Sequence, residues 1–443
     1  MTHTHTHTHT HTHSVQQAPA TRNGLILGAY FTGRERVAWQ HPETGDLLDI
    51  ATIVENARIA DRAGFQLHFL AEGLSLREER GRVAWHSING RHDVATLHAI
   101  LAGATEQIGL MSTISSSFYE PFDLARKLAT IDVLSGGRAG WNVVTAQSAT
   151  SSANFGHRAS LPYEERYKRA SDAIGAVQHL WRGSSAQRGY RGAFTELSVE
   201  TAWPARPQAT GPVLFTASGS DAGADFAAAH ADGVFILPQD LDHALRLTAR
   251  LSDGLASHGR HRNELRVISG RDIVLGDTDA EARERFSQYI DLELTDEDVR
   301  LELEQVWQQD LSNLDPDGSL PAEDPDLERL QRHLSTAPGV EIRDARAHLA
   351  HWRGIAEREG LTNRELVKRR ILRPAFVGSP ATVADEMQRW WSAGAVDGFI
   401  VQPHVVPGGL REFVERVVPI LQERGIFRTE SPRQSFREAL RYV

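Results

Sequence analysis

The sequence predicts a closed parallel (β/α)8 barrel, the TIM architecture, on three observations. From Asn23 onward, short apolar runs alternate with amphipathic helical stretches. One phrase recurs, a small-residue helix end and a glycine feeding a buried strand, in DRAGFQLHFLA (61–71), AHADGVFILPQ (229–239) and AGAVDGFIVQP (393–403). The strands of this kind reach eight, and no G-x-G-x-x-G follows any of them, so the fingerprint of an open dinucleotide-binding sheet is missing.

The elements follow in order. GLILGAYF (24–31) reads as the first strand, DIATIVENARIADRAG (49–64) as an amphipathic helix closed by glycine, and FQLHFLAEG (65–73) as the second strand. IGLMSTIS (108–115), RAGWNVVT (138–145), GPVLFTAS (211–218), the 229–239 phrase, LRVISGRDIVLG (265–276) and the 393–403 phrase complete the eight. Chemistry in such a barrel collects where strands end and βα loops begin. The long loops there are 73–93, 146–162 and an insertion of about 290–375 whose NLDPDGSLPAEDPDLE (313–328) is a solvated loop between helices.

Composition narrows the function. The chain of 443 residues is long enough for a large core, and its 40% hydrophobic and 24% charged content is that of a soluble globular enzyme. A net charge of −10 argues against nucleic acid as partner, and no apolar run is long enough for a membrane span. With no cysteine, disulfides and thiolate chemistry are excluded, and the absence of an export signal points to the cytoplasm. THTHTHTHTHTH (2–13) carries six of the 21 histidines. Extended, it would present every imidazole on one side, as a chelator does. Residues 1–22 are nonetheless set aside as a tag or disordered tail, leaving 23–443 as one barrel domain with a carboxyl-terminal arm at about 419–443.

LSGGRAGWNVVT (134–145) poses the sharpest question. It combines a glycine hinge at Gly136 and Gly137, a charged-then-small step from Arg138 to Gly140, and a buried strand carrying Trp141 and Asn142 inward. An asparagine in the carboxyl-terminal half of a barrel strand either faces the mouth, where it can bind a flat polar ring, or satisfies neighbouring backbone. In the stretch 153–170, Ser160 and Pro162 start a helix that puts Tyr163 and Tyr167 four apart on one face, to pack or to line a cofactor. In TASGSDAGADFAAAHA (216–231), Ser218, Gly219, Ser220 and Gly223 sit at a strand-to-helix turn, a capped turn that can also take a phosphate. His86 with His92 and His348 with His351 lack a metal site's spacing and carboxylates, and no G-x-S-x-G elbow is present.

These segments together resemble the bacterial luciferase-like flavin monooxygenases, within them the nitrilotriacetate and dibenzothiophene-sulfone monooxygenase group. The matching phrases include AWQHP (38–42), ADRAGFQLHFLAEGL (60–74), SSSFYEPFDLARKLATIDVLSGGRAGWNVVT (115–145), NFG (154–156) and ERY (165–167). They continue through SDAGADFAAAHADGVF (220–235), VGSPATVADEMQRWWSAGAVDGF (377–399) and PGGLREFVERVVPILQERGIFRTE (407–430), in family order over nearly the whole chain after the tail. The resemblance implies a barrel that takes FMN as FMNH2 from a separate NAD(P)H-dependent flavin reductase and uses O2 to oxygenate a small organic substrate. It places Thr113 and Asn142 near the isoalloxazine ring, Tyr167 as the tyrosine of the family's RY pair, and Ser220 at the phosphate. Two positions depart: Glu72 stands where the family usually has aspartate, and Tyr163 where many members have histidine. By the same analogy 31–42, 73–93 and the insertion roof the pocket, where Arg34 or Arg91 can meet an anionic substrate. The carboxyl-terminal arm is expected to pack on a neighbouring subunit of a homodimer or homotetramer. An F420-dependent oxidoreductase of the same superfold and a flavin-binding protein without turnover are the alternatives.

Overall fold

The computed structural model describes residues 24–31, 37–75, 78–79, 82–83, 91–145, 149–156, 161–182, 189–198, 207–217, 219–336, 342–371, 374–430 and 434–441. The histidine-threonine tail, Arg34, His86, Ser160 and Ser218 lie outside them. Eight parallel strands form a closed ring: β1 (Ile26–Phe31), β2 (Leu67–Leu70), β3 (Gly109–Ser115), β4 (Ala139–Val144), β5 (Val213–Ala217), β6 (Gly233–Ile236), β7 (Arg266–Leu275) and β8 (Gly398–Pro403). Each strand pairs with the next in sequence, and β8 closes on β1 through Ile26 opposite Gly398. The eight predicted strands are these eight.

Helices α1 (Ile50–Arg62), α2 (Val94–Ala104), α3 (Pro121–Ser135), α4 (Tyr163–Arg182), α5 (Asp221–His230), α6 (Leu241–Ser257), α7 (Pro380–Ser392) and α8 (Gly408–Arg416) follow the strands in turn. Several of the starts are set by side-chain caps, as where Asp93 accepts from Thr96 N at 2.7 Å and Asp240 from His243 N at 2.7 Å. The Gly136–Gly137 pair is a terminator of α3 rather than a hinge. Gly136 sits at φ 68°, a conformation that L side chains avoid, and the Gly137 amide returns to Asp132 O. Arg138 is buried and holds the ends of α2 and α3 to β4, its guanidinium donating to Ala102 O, Thr105 O, Ile108 O and Ser135 O at 2.7–3.0 Å.

Two apolar layers share the strands. Trp141 and Val143 belong to the layer between strands and helices, while Met111, Phe215, Ile268 and Ile400 fill the barrel. Trp141 therefore points away from the barrel axis, opposite to Asn142, because adjacent residues of a strand face opposite sides. The interior is floored by the carboxyl-terminal helix Phe436–Arg441, whose Phe436 and Leu440 join the barrel cluster. A Cβ on Gly109 would stand 2.2 Å from the Phe436 ring, and one on Gly140 would stand 2.7 Å from it. Both glycines are the space the ring occupies. Arg266 Nε donates to Leu440 O at 2.8 Å and Arg437 pairs with Asp232, which pins the helix. The last helix of the arm is thus buried in its own barrel rather than directed toward a neighbouring subunit.

Between β7 and α7 the chain forms helices Asp279–Glu293, Asp296–Trp307, Leu327–Thr336, Ala345–Glu359 and Asn363–Ile371, then strand Ala375–Gly378, which pairs with the end of β7. Trp307, Trp352, Leu303 and Val367 form a core separate from the barrel's. The 313–328 loop is pinned: Asn363 Nδ2 donates to Asp315 O and Ser319 O at 2.8 and 2.9 Å. Asp279 ties the two ends of the excursion together, accepting from Ser379 N at 2.7 Å and Thr382 Oγ1 at 2.8 Å. Among the described residues no helix is long and apolar enough to cross a membrane.

His68 of β2 and His98 of α2 are fully buried on the helix side, edge to face at 5.8 Å, with His98 Nδ1 2.6 Å from Ser112 Oγ. Burial lowers His68 from 6.5 to about 4. The folded state keeps this ring neutral while the unfolded chain takes up a proton below pH 6.5. Stability is therefore expected to fall as pH drops from about 6.5 to about 4, by roughly 3 kcal/mol from His68 alone. Urea titrations across that range check this, and His68→Leu should flatten the slope.

Candidate functional site

Strand alternation decides which side chains reach the mouth. On β3, Met111 lies in the barrel cluster and Ile114 in the helix-facing one, so Thr113 and Ser115 face inward. The same argument turns Asn142 of β4, Asp272 of β7 and Gln402 of β8 inward, each in the carboxyl-terminal half of its strand. Thr113 and Asn142 are register partners, and Asn142 Nδ2 donates to Thr113 Oγ1 at 3.0 Å. Asp272 and Gln402 are register partners on the adjacent strands β7 and β8. On the same inward faces runs an aromatic row, with Tyr30 5.6 Å from Phe69, and Phe69 stacked 5.5 Å from Phe235. The inward faces thus carry a polar crown beside an aromatic row.

Asn142 is 2% exposed, and its Oδ1 has no hydrogen-bond partner among the described residues; neither does the buried Gln402 Nε2. A buried acceptor left unmet costs about 1–3 kcal/mol, so a pocket that keeps one is shaped for a ligand or a bound water that supplies the donor. The backbone-satisfying alternative for Asn142 is not what the structure shows, since its amide serves Thr113 instead.

Glu72, just past β2, accepts from Ser115 N at 2.9 Å and is hydrogen-bonded to Tyr119. Burial is the main cause that raises its carboxyl from 4.5 to about 7; the bonds from Tyr119 and Ser115 oppose the rise. Burial and the neighbouring carboxylate push the Tyr119 phenol up in turn. The folded state therefore favours the protonated acid, a stabilisation complete below pH 4.5 and lost as pH rises through about 7. Glu72→Gln, which mimics the protonated form, should be more stable than the parent at pH 8 by about 1–3 kcal/mol and equal to it near pH 4. Thermal melts at the two pH values check this.

The other predicted residues stand at the rim. Ser220 caps α5, its Oγ accepting from Gly223 N at 3.2 Å, and Gly219 beside it is exposed with open space where a Cβ would stand. Tyr167 of α4 is half-buried with its ring 5.3 Å from Phe226 of α5, a contact that packs α4 on α5. Tyr163 opens α4, with its side chain outside the described residues. Arg91 lies beside Glu72, its Nη1 3.5 Å from Glu72 O. His348 accepts from Trp352 Nε1 at 3.1 Å in the insertion core, and no group of three metal-ligating side chains occurs among the described residues. Sequence reasoning overlooked Ser115, Tyr119, Asp272, Gln402 and His404. Asp272 and Gln402 carried the signal that singled out Asn142, a polar residue late in a buried barrel strand.

The sequence profile of the luciferase-like monooxygenases matches residues 28–417. The chain is 30% identical to dibenzothiophene-sulfone monooxygenase of Rhodococcus erythropolis, over 91% of this chain and 92% of that one. It is 29% identical to nitrilotriacetate monooxygenase component A of Aminobacter aminovorans, over 94% of each. A riboflavin lyase solved with modified FMN and riboflavin superimposes with a TM-score of 0.75 at 25% identity, covering 95% of this chain and 96% of that one. Closed parallel barrel, polar crown and matched length agree: the chain belongs to the luciferase-like monooxygenase family and is a flavin-dependent monooxygenase.

Proposed function

We propose that the protein is the oxygenating component of a two-component system, holding FMN as FMNH2 from a separate NAD(P)H-dependent flavin reductase and using O2 to oxygenate a small organic substrate. The observation that carries the cofactor assignment is the buried, unmet Oδ1 of Asn142, held in place by Thr113 inside a polar crown. A reduced isoalloxazine edge offers ring N–H donors to such an acceptor, and Gln402 Nε2 offers a donor to a ring carbonyl. When bound, the flavin supplies the electrons and the oxygen-activating chemistry. The chain's own residues do the rest. Thr113 and Asn142 orient the ring, Glu72 holds or releases a proton beside Ser115 and Tyr119, and Tyr30, Phe69 and Phe235 exclude water beside it. Ser220, Gly219 and the amino terminus of α5 are assigned to the phosphate, with Tyr163 and Tyr167 along the adjoining face of α4. Nitrilotriacetate and an aromatic sulfone, the compounds in the relatives' names, share little chemistry, so the substrate is assigned only as a small organic molecule.

The test is an anaerobic titration of the tag-free protein with FMNH2, FMN and reduced F420, followed by air. Selective FMNH2 binding, with the bound flavin reoxidising more slowly than free FMNH2, is the expected result. Preference for F420 would move the protein to the oxidoreductase alternative. FMNH2 that oxidises as in free solution, with no product in a substrate screen, would leave a binding protein without turnover. A homodimer or homotetramer is proposed as well: α2 leaves Ile100 42% exposed and α3 leaves Leu134 57% exposed. A monomer by light scattering at micromolar concentration would overturn that.

A further inference from the structure

The barrel strands are buried almost throughout, and the exceptions mark where the mouth opens. Tyr30 of β1 and Phe235 of β6 are half-buried although the residues on either side of them are buried, and Ala217, the last residue of β5, is exposed. Both rings pack on the barrel's inner cluster while their strand neighbours face the helices, so what they expose is turned into the mouth. Ala217 is the register partner of Phe235, and Leu237, just past β6, is 41% exposed. Gly270 of β7 shapes this surface. It faces inward, two residues on from Ile268 of the barrel cluster, and a Cβ there would stand 2.6 Å from Phe235 Cζ and 3.0 Å from Leu237 Cδ2. The missing side chain is the seat in which Phe235 and Leu237 lie. Phe69, from β2 on the far side of the ring, stacks on Phe235 with the planes 26° apart, so an apolar aromatic shelf crosses the barrel with Tyr30 at its edge.

Polar groups are few on this shelf. Among the described residues no hydrogen bond reaches the Tyr30 hydroxyl, which can donate one or accept one. The inward-facing residues in the carboxyl-terminal halves of the eight strands include Asp272 and no lysine or arginine, so nothing on the barrel wall would neutralise an anion there. Arg91, the arginine expected to meet an anionic substrate, stands on the Glu72 side of the mouth. The flavin reading above, on which this inference rests, sets the isoalloxazine edge at Thr113 and Asn142 of β3 and β4. We propose that the shelf of Phe69, Phe235, Leu237 and Ala217 is the substrate subsite, and that the substrate is an uncharged, planar aromatic molecule with a hydrogen-bond acceptor for the Tyr30 hydroxyl. An aromatic body gains by leaving water for this surface, and its one polar atom finds a donor at the edge. A polycarboxylate would shed its hydration against carbon with no cation to replace it.

The test uses the full chain with dibenzothiophene sulfone and nitrilotriacetate as probes, by equilibrium dialysis without flavin and again anaerobically with saturating FMNH2. The sulfone should bind about tenfold or more tightly than nitrilotriacetate, and FMNH2 should not displace it. Leu237→Asn, at an exposed position, should weaken sulfone binding roughly five- to tenfold, and Tyr30→Phe roughly tenfold, each leaving the FMNH2 affinity within about twofold of the parent's. Nitrilotriacetate binding as tightly as the sulfone, no saturable sulfone binding, or a sulfone affinity that either variant leaves intact overturns the proposal. So does displacement of the sulfone by FMNH2, which would make the shelf the flavin's own seat. If FMNH2 fails to bind, the cofactor assignment falls, while the flavin-free sulfone titrations of parent and variants still decide the shelf.

Discussion

Asn142→Leu is expected to weaken FMNH2 binding by roughly ten- to a hundredfold, the cost of about 1–3 kcal/mol for one buried hydrogen bond to the ring. The leucine keeps the same branching and number of heavy atoms, so the barrel should close around it with only local adjustment. The leucine relieves the desolvation cost of an acceptor that no described neighbour meets but also breaks the amide bond to Thr113 Oγ1, two opposing effects of about 1–3 kcal/mol, so the flavin-free protein should melt close to the parent. That contrast between affinity and stability separates a ligand-binding role from a structural one. Anaerobic titration gives the affinity and a thermal melt of the flavin-free protein gives the stability. Lower stability with unchanged affinity would mean that the asparagine serves the fold, and the cofactor would have to be placed elsewhere in the crown.

Phe436→Ala should destabilise the protein by about 3–5 kcal/mol, the range for deleting a fully buried aromatic ring from a core that relaxes only partly. The ring lies against the backbone of β3 and β4 at Gly109 and Gly140, below the Thr113–Asn142 pair. A loss under about 1 kcal/mol in urea titration would show that the floor reseals without it. The glycines supply a coupled test. Gly109→Ala places a methyl 2.2 Å from the ring in the parent, an overlap that Phe436→Ala removes. The double variant should thus be more stable than the sum of the two single losses predicts.

Much of this was legible from the chain alone because barrel strands announce themselves. A strand buried on both faces is a short apolar run, and eight such runs between amphipathic helices leave few topologies. Asn142 stood out for the same reason: a polar side chain in such a run needs a partner, and late in the strand that partner can come from the mouth. Asp272 and Gln402 carry the same mark in LRVISGRDIVLG and AGAVDGFIVQP, and were passed over because no family phrase drew attention to them. Trp141 was placed on the wrong side because two adjacent buried residues look alike in sequence, and only the partition between barrel and helix layers separates them.

The sequence by itself determined the closed barrel, the strand count, the family and a set of residues at the mouth, since these rest on local periodicity and on phrases carried within single segments. Only the tertiary structure decided what depends on segments far apart in the chain. The last helix turns back so that Phe436 floors the barrel against Gly109 and Gly140, more than 290 residues earlier by their numbering. Glu293 and His404 meet across 111 positions, with Asp272 on the other nitrogen. Burial of this kind raises Glu72 to about 7 and lowers His68 to about 4. Desolvation and charge pairing depend on what surrounds a group in space, and a linear pattern records only what lies beside it along the chain.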